Sequence, residues 1–162
     1  MISLALVRHA KSDWSTVKRP DGRLVADHDR PLNDRGGRDA PRMAQRLADA
    51  GFRADVVLSS TALRARTTAE AFADALGAPL SLEDELYGAS SKTLWAVASA
   101  AGHPRVLVVA HDPGMSALAA HLSRDRIEHM PTCAVATFTW DTDDWDVADS
   151  LEPVDWTYDT PR

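Results

Sequence analysis

Two histidines and two arginines carry the most specific chemistry in this sequence: the adjacent pair Arg8 and His9, then Arg64, then His111. Guanidinium groups pair with phosphate oxygens through two parallel, charge-assisted hydrogen bonds and stay protonated at any relevant pH. A neutral imidazole is a competent nucleophile toward phosphorus, and a second imidazole can donate a proton or a hydrogen bond to the group being transferred. Together the four suit phosphoryl transfer. Taken singly they say little, because a lone histidine is more often a hydrogen-bonded surface residue, and Arg64 alone reads as a solvated helix residue, as Arg66 does. His28, His103, His121 and His129 have no such company and keep that ordinary reading.

The combination matters only if the fold gathers it. Ile2 to Arg8 is a short, continuous apolar run, which predicts a buried strand that delivers Arg8 and His9 at its end. Asp55 to Ser59 and Arg105 to Ala110 predict two more strands, ending just before Ser60–Arg64 and His111 respectively. Between them the pattern predicts helices: one capped by Asn33 and ended by Gly51, with Pro41 in its first turn or at a kink, then residues 61–76, 91–101 and 113–122. Cys133 to Trp140 reads as a strand, and Trp145 to Leu151 as the return strand of a hairpin across Asp141–Asp144. Alternating strands and helices imply an α/β fold, a three-layer α/β/α sandwich with a mostly parallel central sheet, formed by residues 1–162 as one domain. In such sheets ligands bind outside the carboxyl ends of the strands, which are the positions of Arg8, His9, Ser59–Arg64 and His111. Residues 10–33 are polar and lack an apolar period, as expected of a lid or substrate loop.

Composition removes competing classes. The chain has 162 residues, 44% hydrophobic, 26% charged and 6% aromatic, enough for one compact core and too apolar for disorder. The net charge of −6 resides in the tail, where residues 141–162 hold eight Asp or Glu against the single Arg162. The basic residues are scattered rather than interleaved with aromatics, so nucleic acid is not an expected partner. Cys133 has no second cysteine to pair with, and no targeting or membrane-spanning segment is readable, which fits a cytoplasmic monomer. Phosphate-cradling Gly-rich loops are absent, Gly114–Leu118 lacks the last Gly of a nucleophile elbow, and Cys133 has no Arg six positions on. His121 and Asp125 are two ligands without a third, so no metal is expected.

Beyond these residue types, Leu6-Val7-Arg8-His9-Ala10-Lys11-Ser12 resembles the R-H-G signature of the histidine phosphatase superfamily, the phosphoglycerate-mutase-like fold. Ser60 to Glu70 is similar to its second signature, S-x-x-x-R-A-x-x-T-A-E, and Val108 to Gly114 to its third. Asp29-Arg30-Pro31-Leu32, Glu85-Leu86-Tyr87 and the closing strand pair resemble the SixA-type phosphohistidine phosphatase branch. The resemblance implies that His9 is the nucleophile, that Arg8, Arg64 and His111 hold the phosphoryl oxygens, and that no cofactor or metal takes part. It implies phosphohistidine in proteins as the substrate, with a small phosphorylated molecule, or phosphate binding without turnover, as the alternatives. Arg30 and Glu85 are the expected substrate-binding residues, Glu85 also being the nearest candidate for a general acid, with Asp13 and Glu83 as others. One departure is Ala10 where the superfamily commonly has Gly, tolerable if the backbone there adopts an angle open to alanine.

Overall fold

A computed structural model of the protein describes residues 1–15 and 18–162, so Thr16 and Val17 of the expected 10–33 loop lie outside the described residues. In chain order the regular elements are β1 (Ile2–Arg8), α1 (Asp34–Asp49), β2 (Val56–Ser59), α2 (Leu63–Leu76), β3 (Leu80–Leu82), α3 (Ser91–Ser99), β4 (Arg105–Ala110), α4 (Gly114–Leu122), β5 (Val135–Trp140), α5 (Trp145–Ala148) and β6 (Asp155–Asp159). One sheet runs in the order β3-β2-β4-β1-β5-β6. The first four strands are parallel, and β5 and β6 join antiparallel.

The alternation of β1 sorts the core into two layers. Ile2, Leu4 and Leu6 pack with Leu94 and Ala98 of α3 and Met115, Leu118 and Leu122 of α4. Ala5 and Val7 point the other way, against Met43 and Leu47 of α1 and Phe72 of α2. Each leucine or methionine so buried contributes roughly 1.5–3 kcal/mol relative to exposure. Helices therefore cover both faces, as the alternation of elements requires.

Asn33 caps α1 by accepting the Gly36 N–H at 2.9 Å, and Gly77 closes α2 at φ +62°. Pro41 stands inside α1 rather than in its first turn. Its missing N–H costs one rung of the helix, which the buried Ala40, Met43, Ala44 and Leu47 around it offset. Trp145 to Leu151 is not the expected return strand. Asp144 caps the short helix α5 by accepting the Asp146 N–H at 2.9 Å, the Trp145 indole donates to the His103 carbonyl at 2.9 Å, and the strand pairing with β5 is Asp155–Asp159. Capping and indole packing here outweigh a weak alternation. The edge strand β3 was not expected from sequence; three half-exposed residues give no readable period. No helix among the described residues is long and apolar enough to cross a membrane.

Candidate active site

Register assembles the centre. Arg8 pairs with Ala110 and Ser59 with Val109 in the parallel ladder, so β1, β2 and β4 end level with one another. The His9 N–H donates to the Ala110 carbonyl at 3.1 Å and the Ser60 N–H to the Val109 carbonyl at 3.0 Å. His9, Ser60 and His111 consequently leave the sheet together, with the two imidazole rings 5.1 Å apart. At the sixth position of α2, Thr68 accepts the Ala10 N–H at 3.0 Å while its own hydroxyl donates to the Arg64 carbonyl at 2.8 Å, tying the arginine's helix turn to the strand end that carries His9. Ala10 is fully buried and is not among the residues with positive φ, so the departure from glycine carries no backbone strain. Glycine is required elsewhere: a Cβ on Gly36 would stand 2.1 Å from the Lys11 carbonyl oxygen, and one on Gly114 would stand 2.1 Å from that of Ala89.

The ring of His9 has a fixed tautomer. Its Nδ1 lies 2.8 Å from the Ala10 carbonyl, which can only accept, so Nδ1 carries the proton and Nε2 keeps its lone pair. Burial pushes the His9 pKa down to about 3, against the pull of the Ala10 carbonyl and helped by His111, Arg64 and Arg8. Burial likewise lowers His111 to about 4, with Arg64 adding to the effect and Asp27 opposing it. Both rings are neutral at pH 7, as a nucleophile and a hydrogen-bond donor should be. His111 Nε2 lies 2.7 Å from the Ser60 hydroxyl, which also accepts the Ala62 N–H. When that hydroxyl donates to Nε2, the His111 proton is on Nδ1.

Arg8 Nε, Arg64 Nε and His111 Nδ1 are buried side-chain nitrogens with no hydrogen-bond partner among the described residues. Buried polar groups nearly always have partners, and a cluster of such exceptions beside one imidazole marks a place built for an acceptor that is not part of the chain. The rest of each guanidinium is anchored: Arg8 Nη1 donates to the Met130 carbonyl at 2.9 Å and stands 3.6 Å from Asp112, while Arg64 Nη1 donates to the Asp27 carbonyl at 2.7 Å. Among the described residues no three His, Cys, Asp or Glu side chains are grouped so as to hold a metal ion.

The expected site residues divide. His9, Arg8, Arg64 and His111 are brought together. Arg30 reaches the margin: its guanidinium pairs with Asp27 at 3.2 Å, donates to the Ser12 hydroxyl and lies 3.7 Å over the Trp14 ring. Glu85 does not arrive. With Glu83 and Ser81 it lines a separate groove between β2 and α3 that extends to His103, because the turn that buries Leu86 directs Glu85 outward. Asp13 is exposed, its carboxylate accepting the Ser15 N–H.

Three contributors have no role assigned from sequence, although Ser60 and Tyr87 lie in segments named there. Ser60 orients His111. Asp27 accepts from Arg64 at 3.1 Å, from Arg30, and from the Tyr87 hydroxyl at 2.6 Å, and these contacts, the Tyr87 bond foremost, hold its carboxyl down at about 2. Tyr87 stands edge-on to both His111 and His28, and His28 in turn bonds the Thr61 hydroxyl at 2.8 Å. The available signals were proximity to residues already chosen: Tyr87 lies two positions from Glu85, and Asp27 three before Arg30.

Residues 4–90 match the model of the histidine phosphatase superfamily, branch 1, a span that holds His9 and Arg64 while register supplies His111. The chain belongs to this superfamily. An uncharacterised protein of Mycobacterium tuberculosis is 42% identical over 120 residues, covering 70% of this chain and 67% of the relative. Among solved structures, a candidate phosphohistidine phosphatase SixA of Agrobacterium tumefaciens superposes with a TM-score of 0.74 at 32% identity, over 85% of this chain and 90% of that one. The protein histidine phosphatase SixA complexed with tungstate superposes with a TM-score of 0.70 at 26% identity, over 98% of this chain and 95% of its own. The α/β sheet with helices on both faces is thus the phosphoglycerate-mutase-like fold of the superfamily.

Proposed function

We propose that the protein is a phosphatase that removes the phosphoryl group from phosphohistidine in proteins, through a phosphorylated His9. The observation that carries this reading is the lone-pair Nε2 of a neutral His9 next to three buried nitrogens, from Arg8, Arg64 and His111, that have no acceptor among the described residues. The SixA neighbours, one of them complexed with tungstate, support it.

In the first step His9 Nε2 donates its lone pair to phosphorus while the bond from phosphorus to the substrate nitrogen breaks. The electron pair returns to the leaving imidazole, whose other nitrogen can carry the proton that makes it a neutral leaving group. A water then attacks the phosphoryl-His9, releasing inorganic phosphate and restoring the neutral ring. Throughout, Arg8, Arg64 and His111 offset the charge on the phosphoryl oxygens, an electrostatic contribution fixed before the substrate arrives. A leaving imidazole needs no protein acid, which agrees with the absence of Glu85, Glu83 and Asp13 from the centre.

The deciding experiment compares turnover of a phosphohistidine peptide, p-nitrophenyl phosphate and sugar phosphates. The reading expects the peptide to have the highest kcat/KM. A sugar phosphate turned over faster than the peptide would make the protein a small-molecule phosphomonoesterase of the same superfamily.

A further inference from the structure

Beside the reaction centre runs a groove of ≈ 300 Å³ lined by Arg8, Lys11, Arg35, His129, Thr132 and Arg162, together with Pro131, Thr160 and Pro161. Every ionisable side chain on it is Arg, Lys or His, in a chain whose net charge is −6. Arg162, the single basic residue of the acidic stretch 141–162, is one of them. Two carboxylates lie behind the lining rather than on it. Asp39, which is buried, pairs with Arg35 at 3.4 Å, and Asp112 pairs with Arg8 and His129, each at 3.6 Å. Among the described residues neither Lys11 nor Arg162 has a carboxylate within 4.0 Å.

The groove is held firmly and joined to the centre. The Lys11 carbonyl accepts the Asn33 N–H at 3.0 Å, and the first turn of α1 approaches it so closely at Gly36 that no side chain fits. Lys11 follows the nucleophile by two residues. Arg8 belongs to both places, lining the groove while its charge helps to hold His9 neutral. Anything bound through a phosphoryl group at His9 has this basic channel as its neighbour.

We propose that the groove takes carboxylate side chains of the polypeptide that flanks the phosphorylated residue, making acidic protein segments the preferred substrate class; this rests on the phosphatase reading above. Its cations Arg8, Lys11, Arg35 and Arg162 come from separate parts of the chain, the end of β1, the segment after it, α1 and the tail. That spread suits several carboxylates along an extended chain, whose residues advance about 3.3 Å each. No Phe, Tyr or Trp among the described residues lines the groove as a platform for nucleobases.

The test is fluorescence anisotropy with peptides carrying a stable phosphonate analogue of phosphohistidine, one flanked by Asp and Glu, the other by Ser and Gln. At 50 mM salt the acidic peptide should bind about five-fold more tightly, from a few partly exposed pairs, and at 500 mM salt screening should reduce the ratio to below about two-fold. Lys11→Glu should abolish the preference at low salt. Arg162→Glu, at an exposed position, should weaken it. Equal binding of the two peptides by the wild type, or a preference unmoved by both variants, overturns the proposal. So does a bisphosphorylated polyol that outcompetes its monophosphate by more than the acidic peptide outcompetes the neutral one, since the anion would then come from a small molecule. The binding ratio needs no turnover: tight acidic binding without hydrolysis of phosphohistidine would sink only the catalytic reading, and brisk hydrolysis without flank preference only this one.

Discussion

Two groups of polar side chains meet around His9, and they are held in different ways. His9, Ser60 and His111 leave the ends of three strands whose parallel register fixes where each begins, and backbone hydrogen bonds from His9 and Ser60 to the neighbouring strand lock that position. Asp27 and Arg30 sit on a long segment whose only helical piece among the described residues is one 3₁₀ turn, Asp27–Asp29, and they are held by side-chain contacts to Arg64, Tyr87, Ser12 and Trp14. The strand-end groups are placed by the core and cannot drift without disturbing it. The loop groups are placed by exchangeable ion pairs at the surface, which suits contacts to a variable substrate better than contacts to reacting atoms. The difference predicts that strand-end changes act on kcat and loop changes on KM.

The largest effect should come from His9→Ala, which is expected to lower kcat by about a thousand-fold or more while far-UV circular dichroism and thermal unfolding remain those of a folded protein. Arg64→Ala should follow at roughly a hundred-fold in kcat/KM, since it removes a fixed positive charge from the phosphoryl oxygens. Chelation by EDTA should leave turnover unchanged, and vanadate or tungstate should inhibit in competition with substrate.

Acid sharpens the comparison through stability. His9 and His111 have folded pKa values of about 3 and about 4, below the usual 6.5, so the unfolded chain takes up protons that the folded one refuses. The stability this represents is present above pH 6.5 and is lost as pH falls toward 4, by up to about 1.4 kcal/mol per pH unit for each histidine. Urea unfolding at pH 7, 6 and 5 should show that decline, and His9→Ala should show a shallower one; equal slopes would mean that the His9 ring is not held neutral by its surroundings.

On the loop, Arg30→Ala should raise KM about five- to ten-fold with kcat nearly unchanged, the split that separates substrate holding from chemistry. Asp27→Asn should have the smallest effect, about three-fold on KM, because it loosens Arg30, Tyr87 and one contact of Arg64, whose bond to the Asp27 carbonyl remains, without removing a group from the reacting atoms. A larger fall in kcat for Asp27→Asn than for Arg64→Ala would break the division between the two groups.

The same division explains what could be read from the sequence. Strands β1, β2 and β4 are short apolar runs with polar ends, and the strand-end rule points straight from them to Arg8, His9, Arg64 and His111. Asn33 and Gly77 declare their helix ends by residue type. Asp27 and Tyr87 have no such signature, because the loop that carries Asp27 has no period and Tyr87 meets it 60 positions away through a single hydrogen bond. Glu85 was chosen for its chemistry and proximity in sequence, yet the direction of its side chain depends on how Leu86 is buried. Trp145 to Leu151 alternates like a strand, and the Asp144 cap together with the contact of Trp145 with His103, 42 positions earlier, makes the helix the better solution.

The most direct test of the account is a rapid-quench experiment with phosphohistidine peptide labelled in its phosphoryl group. Label is expected on the enzyme within one turnover, in an acid-labile and alkali-stable bond that peptide mapping locates at His9. A protein that turns over substrate without ever carrying the label, or carries it at another residue, would contradict the assignment of His9 as the nucleophile.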